Sequence, residues 1–248
     1  MASTDTCYIR KLRGHKKPIN SIDSSVHDGN VIASGSNDCT VRVWDARQER
    51  AIKSIYGVFK GPIDTVCFDE QSEWLLHCTE ACNLYSFDLR TESVIMTSSK
   101  YTRPNLTGDD FNAMRCLKTG ESSILALSDD SGQLTMVNGS LAEIAPTYIP
   151  NAHTSIMSAV AFRYPQSGSS IPREIATGGF DCRVCLWDIL SNTQRSAINF
   201  SDPKTSLLGR AGDTQAQQFL NPPFVHCLEF VCNGEIIVCG LGDGSVSG

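Results

Sequence analysis

The sequence predicts an all-β chain built from one four-stranded unit repeated along its length, and three observations predict it. Two 17-residue segments match in register, VIASGSNDCTVRVWDAR (31–47) and EIATGGFDCRVCLWDIL (174–190). Weaker copies lie between them, so the position held by tryptophan recurs at 44, 87, 137 and 187, in steps of 43, 50 and 50 residues. No segment carries a 3.6-residue apolar period over three turns, which leaves little room for helix. Four short strands in roughly 40–45 residues is the arithmetic of one β-propeller blade.

In the first unit, CYIRKL (7–12), PINSIDSS (18–25), VIASGS (31–36) and VRVWD (41–45) read as strands. Turn-rich GHKK, HDGN and NDCT separate them. The second and third units carry WLLHCTEACNLYSFDLR, ending in Phe87-Asp88, and SILALSDDSGQLTMVNG, ending in Val137-Asn138. After Trp187, RSAINFS reads as an outer strand, and 202–223 reads as an unusually long polar loop over one face. FVHCLEFV and EIIVCGLGDG then resume the strand pattern. Six residues on from Asp243, the next tryptophan position falls at 249, one beyond the last residue. The expectation is one domain over 1–248, with units near 7–47, 51–90, 94–139, 143–190 and an incomplete 195–248. That makes about four full blades plus an incomplete fifth, an open ring of a truncated propeller.

Composition bounds the function. Hydrophobic residues are 41% and charged residues 19%, enough for a core. The net charge of −6 argues against direct nucleic-acid binding, which needs a basic face. The start lacks the apolar core of about 7–15 residues that a secretory signal needs, and no apolar run approaches the ~18 residues of a membrane span. Eleven cysteines, an odd number set mostly in apolar stretches, read as reduced thiols of a cytoplasmic or nuclear protein. Asn105, Asn138 and Asn199 head chance matches to the glycosylation triplet.

On Gly14-His15 followed by Trp44-Asp45, and Ala152-His153 followed by Trp187-Asp188, the chain resembles the WD-repeat family. The resemblance covers nearly the whole length. It implies a buried polar chain in which an indole N–H donates to a Ser or Thr hydroxyl, the hydroxyl bonds a His, and the His bonds a turn Asp. Carried over by position, the sets are His15, Ser34, Asp38, Trp44 and His153, Thr177, Asp181, Trp187. A serine-triad reading of His15, Ser34 and Asp38 is set aside, because the same residue types recur with a Trp 138–143 residues later.

Some members of this family serve as substrate receptors that dock on the adaptor of the cullin-4 RING ubiquitin ligase through a signature called the DWD box. Residues 31–47 fit it, with small and aliphatic residues at 32–34, Asp38, and Trp44-Asp45-Ala46-Arg47. Phe87-Asp88-Leu89-Arg90 is a partial copy, while Leu190 replaces the arginine in the fourth unit, which is therefore not expected to dock. The resemblance implies adaptor contacts at Asp38, Trp44, Asp45, Arg47, Asp88 and Arg90. The plainer reading makes Arg47 a solvated strand cap beside Asp45.

Other chemistry is weaker. Cys182/Cys185 and Cys78/Cys82, with His77 nearby, have zinc-like spacing, but the pairs lie in different units and strand residues alternate faces. The Gly-rich stretch 240–248 falls where a repeat turn belongs. Asp109-Asp110 and Asp129-Asp130 read as solvated turns, and the basic run 10–17 as outer-strand surface. No metal, cofactor or catalytic residue is expected. The expected role is a non-enzymatic scaffold for protein partners, a ligase adaptor and an unidentified substrate, with neither nucleic acid nor membrane bound. The alternatives are a general scaffold or a reader of peptides or histone tails through the central cavity.

Overall fold

The computed structural model describes residues 11–139, 145–164, 173–202 and 221–248. They form five sheets in chain order, with no α-helix among the described residues. Blade 1 is β1 (Ile19–Ser24), β2 (Val31–Ser36), β3 (Thr40–Asp45) and β4 (Ala51–Ile55). Blade 2 is β5 (Thr65–Phe68), β6 (Leu75–Glu80), β7 (Asn83–Asp88) and β9 (Tyr101–Arg103). On the way to β9 the chain steps back, and β8 (Ile95–Met96) pairs in parallel with β4. Blade 3 is β10 (Phe111–Thr119), β11 (Ser122–Asp129), β12 (Leu134–Asn138) and β13 (Thr147–Ile149). Blade 4 is β14 (Met157–Phe162), β15 (Glu174–Gly179), β16 (Arg183–Asp188) and β17 (Thr193–Asn199). Blade 5 has three strands, β18 (Val225–Val231), β19 (Ile236–Leu241) and the two-residue β20 (Val246–Ser247).

Four complete blades and a shorter fifth are thus a WD40-type propeller arrangement. Blades 1 to 4 each take their fourth strand from the segment that follows the Trp-Asp position. The sheets are therefore offset by one strand from the sequence units. The strand expected from Cys7 falls outside the described residues as far as 10, and Lys11 to Arg13 are not in a strand. Most of the expected long loop, 203–220, also lies outside them.

The strands form because alternating residues face two neighbouring blades, and the core is divided accordingly. One cluster joins blades 1 and 2 around Val43, Ile63 and Phe87, and a second joins blades 2 and 3 around Leu84, Met114 and Leu125. A third joins blades 3 and 4 around Leu134, Met157 and Trp187, and a fourth joins blades 4 and 5 around Ala176, Val225 and Leu228. Blades thus bury surface against neighbours rather than singly. The approach is close enough to demand glycine. A Cβ on Gly35 would lie 2.6 Å from Ile63 Cγ2, and one on the equivalent Gly178 would lie 2.4 Å from Val225 Cγ1. Backbone donors are used as well. Val66 N–H donates to Ser21 Oγ at 3.0 Å, and Phe68 N–H to Asp23 Oδ2 at 2.8 Å, tying blade 2 to the inner strand of blade 1.

Each blade has two ends. The hairpin end carries the turn between its second and third strands. The rim end carries the residues that follow the tryptophan position.

Candidate functional site

At the hairpin end of blade 1, Trp44 Nε1–H donates to Ser34 Oγ at 2.8 Å, and Ser34 Oγ lies 2.8 Å from His15 Nε2. His15 Nδ1 lies 3.0 Å from Asp38 Oδ2. An ionised carboxylate only accepts, so His15 donates from Nδ1, which leaves Nε2 to the Ser34 hydroxyl. Burial disfavours the Asp38 charge, but bonds from the Thr40 hydroxyl, the Lys16 N–H and His15 outweigh it and hold the group at about 2. Blade 4 repeats the chain. Trp187 Nε1–H donates to Thr177 Oγ1 at 2.9 Å, Thr177 Oγ1 lies 2.8 Å from His153 Nε2, and His153 Nδ1 lies 2.8 Å from Asp181. Every polar atom along both chains is paired, as a low-dielectric site requires.

Blade 2 solves the same position differently. In strand register, Cys78 and Phe87 stand where blade 1 has Ser34 and Trp44, and Phe59, next to the anchored Lys60 N–H, stands where His15 precedes Lys16. Phe59 packs edge-on to Tyr85 at 5.1 Å and to Phe87 at 5.8 Å. Glu80 takes over the work of the turn aspartate. It accepts from the Lys60 N–H at 2.6 Å, as Asp38 accepts from the Lys16 N–H at 2.9 Å, and it also accepts from the Gly61 N–H and the Tyr85 hydroxyl. The polar chain has been exchanged as a set for an aromatic cluster.

A third polar chain has no counterpart in the motif. On the opposite face of blade 2, His77 Nδ1 lies 2.6 Å from Ser86 Oγ and His77 Nε2 3.2 Å from Asp69 Oδ2, which also accepts from Ser123 Oγ at 2.5 Å. All four residues are buried. Burial works against the Asp69 charge, and bonds from His77 and Ser123 overcome it, holding the group at about 2. This chain seals blade 2 to blade 3. The signal for it was cross-strand pairing of His77 with Ser86. His77 therefore faces hydroxyl and carboxylate partners. No group of three or more His, Cys, Asp or Glu that could hold a metal occurs among the described residues.

The rim end presents guanidinium groups. Arg47 Nε donates to Asp45 Oδ1 at 2.8 Å and Nη2 to Oδ2 at 2.9 Å, with Nη2 also 3.1 Å from Asp28. Arg90 grips Asp88 in the same way, at 2.9 and 2.5 Å. Both arginine side chains are about 60% exposed, at 60% and 61%. The fork lowers Asp45 to about 2 and drives Asp88 down as well. Two of the six residues that the DWD signature points to are not on this rim. Asp38 sits in the turn at the far end of the blade, facing His15, because the six-residue strand β3 runs from that turn to Asp45. Trp44 is 3% exposed, its ring committed to the inter-blade core. Asp129, expected as a solvated turn residue, is also buried and accepts from the Ser131 and Gln133 N–H groups.

The five inner strands converge on one cavity of ≈ 260 Å³ at the rim end. Equivalent positions Asp23, Cys67, Arg115, Ala161 and Glu229 line it, with Phe68, Phe162, Glu70 and Tyr164. Tyr164 donates its hydroxyl to Glu70 at 2.6 Å, linking blade 4 to blade 2. Burial raises Asp23, and burial also pushes the Cys67 thiol well up. The ten described cysteines are free thiols. Among the described residues, no helix is long and apolar enough to cross a membrane.

The profile of the "WD domain, G-beta repeat" family matches residues 6–45 and 145–188, the segments that hold the two polar chains. Over 249 residues, 95% of this chain is 31% identical to the WD repeat-containing protein 53 homolog of Dictyostelium discoideum, of which it spans 63%. Over 177 residues, 70% of the chain is 25% identical to guanine nucleotide-binding protein subunit beta-1 of Nicotiana tabacum, spanning 44% of that protein. A shorter stretch of 73 residues, 29% of the chain, is 34% identical to nuclear distribution protein PAC1 of Candida tropicalis and spans 15% of it.

Proposed function

The chain belongs to the WD-repeat family, whose repeats build protein-interaction scaffolds, and from that premise we propose that it is a non-enzymatic substrate receptor docking on the adaptor of a cullin-4 RING ubiquitin ligase. The observation that carries the reading is the paired fork at the rim end. Asp45 and Asp88 each hold an exposed guanidinium by its Nε and Nη2 edge. Two χ-flexible arginines are thereby set in one orientation before a partner arrives, which removes part of the ordering cost of binding. Their remaining donors suit carboxylates and carbonyls, and arginine is enriched among residues that dominate interfaces. Asp45, Arg47, Asp88 and Arg90 form the proposed contact. The hairpin end is left for the substrate. A reducing compartment, cytoplasm or nucleus, accords with the free thiols.

The test is co-precipitation of the adaptor from lysate with the chain, comparing wild type with Arg47→Ala and Arg90→Ala. Cooperative melting of each variant is checked in parallel. Capture that is lost in Arg47→Ala without loss of fold supports docking, and a folded wild type that captures no adaptor refutes it.

The central cavity favours a second reading, a scaffold that reads basic peptides. Asp23, Glu70 and Glu229 set three carboxylates against Arg115 beside Phe68 and Phe162, a lining suited to a lysine or arginine side chain. That reading predicts partner binding that survives Arg47→Ala and fails in Glu229→Gln.

A further inference from the structure

The fourth unit lacks the rim arginine, because Leu190 stands where blades 1 and 2 have Arg47 and Arg90. The turn is nevertheless the same. Leu190 N–H donates to Asp188 Oδ1 at 3.0 Å, as Arg47 N–H does to Asp45 at 2.9 Å and Arg90 N–H to Asp88 at 3.1 Å. The guanidinium arrives from elsewhere in the fold. Arg173, just before β15, donates from Nε to Asp188 Oδ2 at 3.0 Å, and Arg195 on β17 donates from Nη2 to the same oxygen.

Arg195 reaches it through a defect in the sheet. β16 and β17 pair Leu186 with Ser196 but Trp187 with Gln194, so Arg195 is the extra residue of a bulge. A bulge re-aims a side chain that regular pairing would point away. Its other donor, Nη1, bonds Glu174 at 2.7 Å, and Glu174 in turn accepts from Arg163 Nη1 at 2.5 Å. Three guanidiniums therefore face two carboxylates. Both carboxylates are buried and already satisfied, while the Arg173 side chain is 65% exposed. The cluster carries one positive charge in excess at the rim end. Beside it, Tyr164 reaches across to Glu70 of blade 2, so blades 2 and 4 share this opening of the propeller.

We propose that Arg173, with Arg163 and Arg195 behind it, is a third guanidinium contact on the docking rim. It extends that surface onto blade 4 and receives a carboxylate-bearing segment of the partner. This rests on the docking reading above. It assigns to blade 4 a role that its Trp-Asp-Ile-Leu ending denies it, because the charge is restored in space by residues outside the motif.

Arg173 is the position to test. It makes a single bond to Asp188, and Arg195 and Arg163 together still balance both carboxylates when it is removed. Purified adaptor is titrated onto the whole chain at low and physiological salt, with wild type, Arg173→Glu, Arg173→Gln and Arg47→Ala, each checked by thermal melting. The expected result is association slowed about fivefold in Arg173→Glu and less in Arg173→Gln. The salt dependence of the association rate becomes shallower in both, a change that a purely structural ion pair would not produce. Arg173→Gln guards against a charge reversal that unfolds the rim. If Arg47→Ala abolishes binding while both Arg173 variants bind as wild type, the blade 4 contact is overturned and docking through blades 1 and 2 stands. If wild type binds no adaptor, the docking reading fails and this contact falls with it.

Discussion

Blade 2 supplies a natural experiment on blade 1, and a designed one follows from it. His15→Phe, Ser34→Cys and Trp44→Phe each break the polar chain. Ser34→Cys leaves the indole N–H and His15 Nε2 without the hydroxyl that lies 2.8 Å from each. An orphaned buried polar group costs about 1–3 kcal/mol. His15→Phe strands the Ser34 hydroxyl, and Trp44→Phe adds lost volume at a residue that is 3% exposed. About 2 kcal/mol for each single change sums to about 6 kcal/mol. The triple variant carries the blade 2 residues, so it has no orphan to leave. Asp38 keeps the Thr40 hydroxyl at 2.6 Å and the Lys16 N–H at 2.9 Å. Its cost reduces to imperfect packing, offset by aromatic contact of about 0.5–1.5 kcal/mol, and the expected total is about 3 kcal/mol or less. The assay is urea unfolding of the wild type, the three single variants and the triple, with stabilities compared from midpoints at a common slope. A coupling of about 3 kcal/mol between the singles and the triple is expected. A triple that equals the sum of the singles within about 0.5 kcal/mol would show three independent packing sites and refute the reasoning.

Two further outcomes follow from backbone and charge. Cys39 and Cys182 occupy the left-handed region at φ 62, where the same turn in blades 3 and 5 has Gly132 and Gly244. Relief of roughly 1 kcal/mol of strain exceeds the entropy that glycine adds at half-buried Cys39, so Cys39→Gly should melt higher by about 1–2 °C. Cys182→Gly, which also loses a buried thiol, should not, and a fall in both would contradict the strain account. Asp64 is raised from 3.8 to about 6, by burial first and then by the like charges of Asp110, Glu80 and Asp130. The folded state therefore binds the extra proton, and stability falls as pH climbs from 4 to 6. Asp64→Asn keeps an acceptor for the Ala81 N–H and removes the charge. The variant should gain about 1 kcal/mol over wild type at pH 8, after allowance for solvent screening, and nothing at pH 4. A gain independent of pH in melts at pH 4, 6 and 8 would exclude this cause.

The blades were legible because their signature is local. A tryptophan, its hydroxyl partner ten residues earlier and the turn aspartate lie on one hairpin, and two intact copies set the period for the degenerate ones. The parallel addition of β8 to blade 1 was not legible. Ile95 and Met96 have no turn signal tying them to β4, and only the path of the chain back across blade 1 brings them there. The offset of sheets from sequence units has the same origin, since a repeat in sequence does not say which neighbour its outer strand joins.

The sites divide along a similar line. Asp45-Arg47 and Asp88-Arg90 could be read from the chain because a side chain two residues past an aspartate can close on it within one turn. The blade 4 cluster could not, because Arg173 and Arg195 lie 15 and 7 residues from Asp188 and meet only through strand pairing and a bulge. His77 was visible as a residue but not in its role, since strand alternation turns it from Cys78 towards Ser86 and Asp69. A repeat fold tolerates loss of its motif wherever a neighbouring strand can restore the same group at the same place. Phe59, Cys78 and Phe87 restore packing, Glu80 restores the loop anchor, and Arg173 and Arg195 bring guanidinium groups back to Asp188. Surface chemistry in such a chain is therefore to be compared blade by blade in space, where Leu190 marks a substitution of route rather than the absence of an arginine.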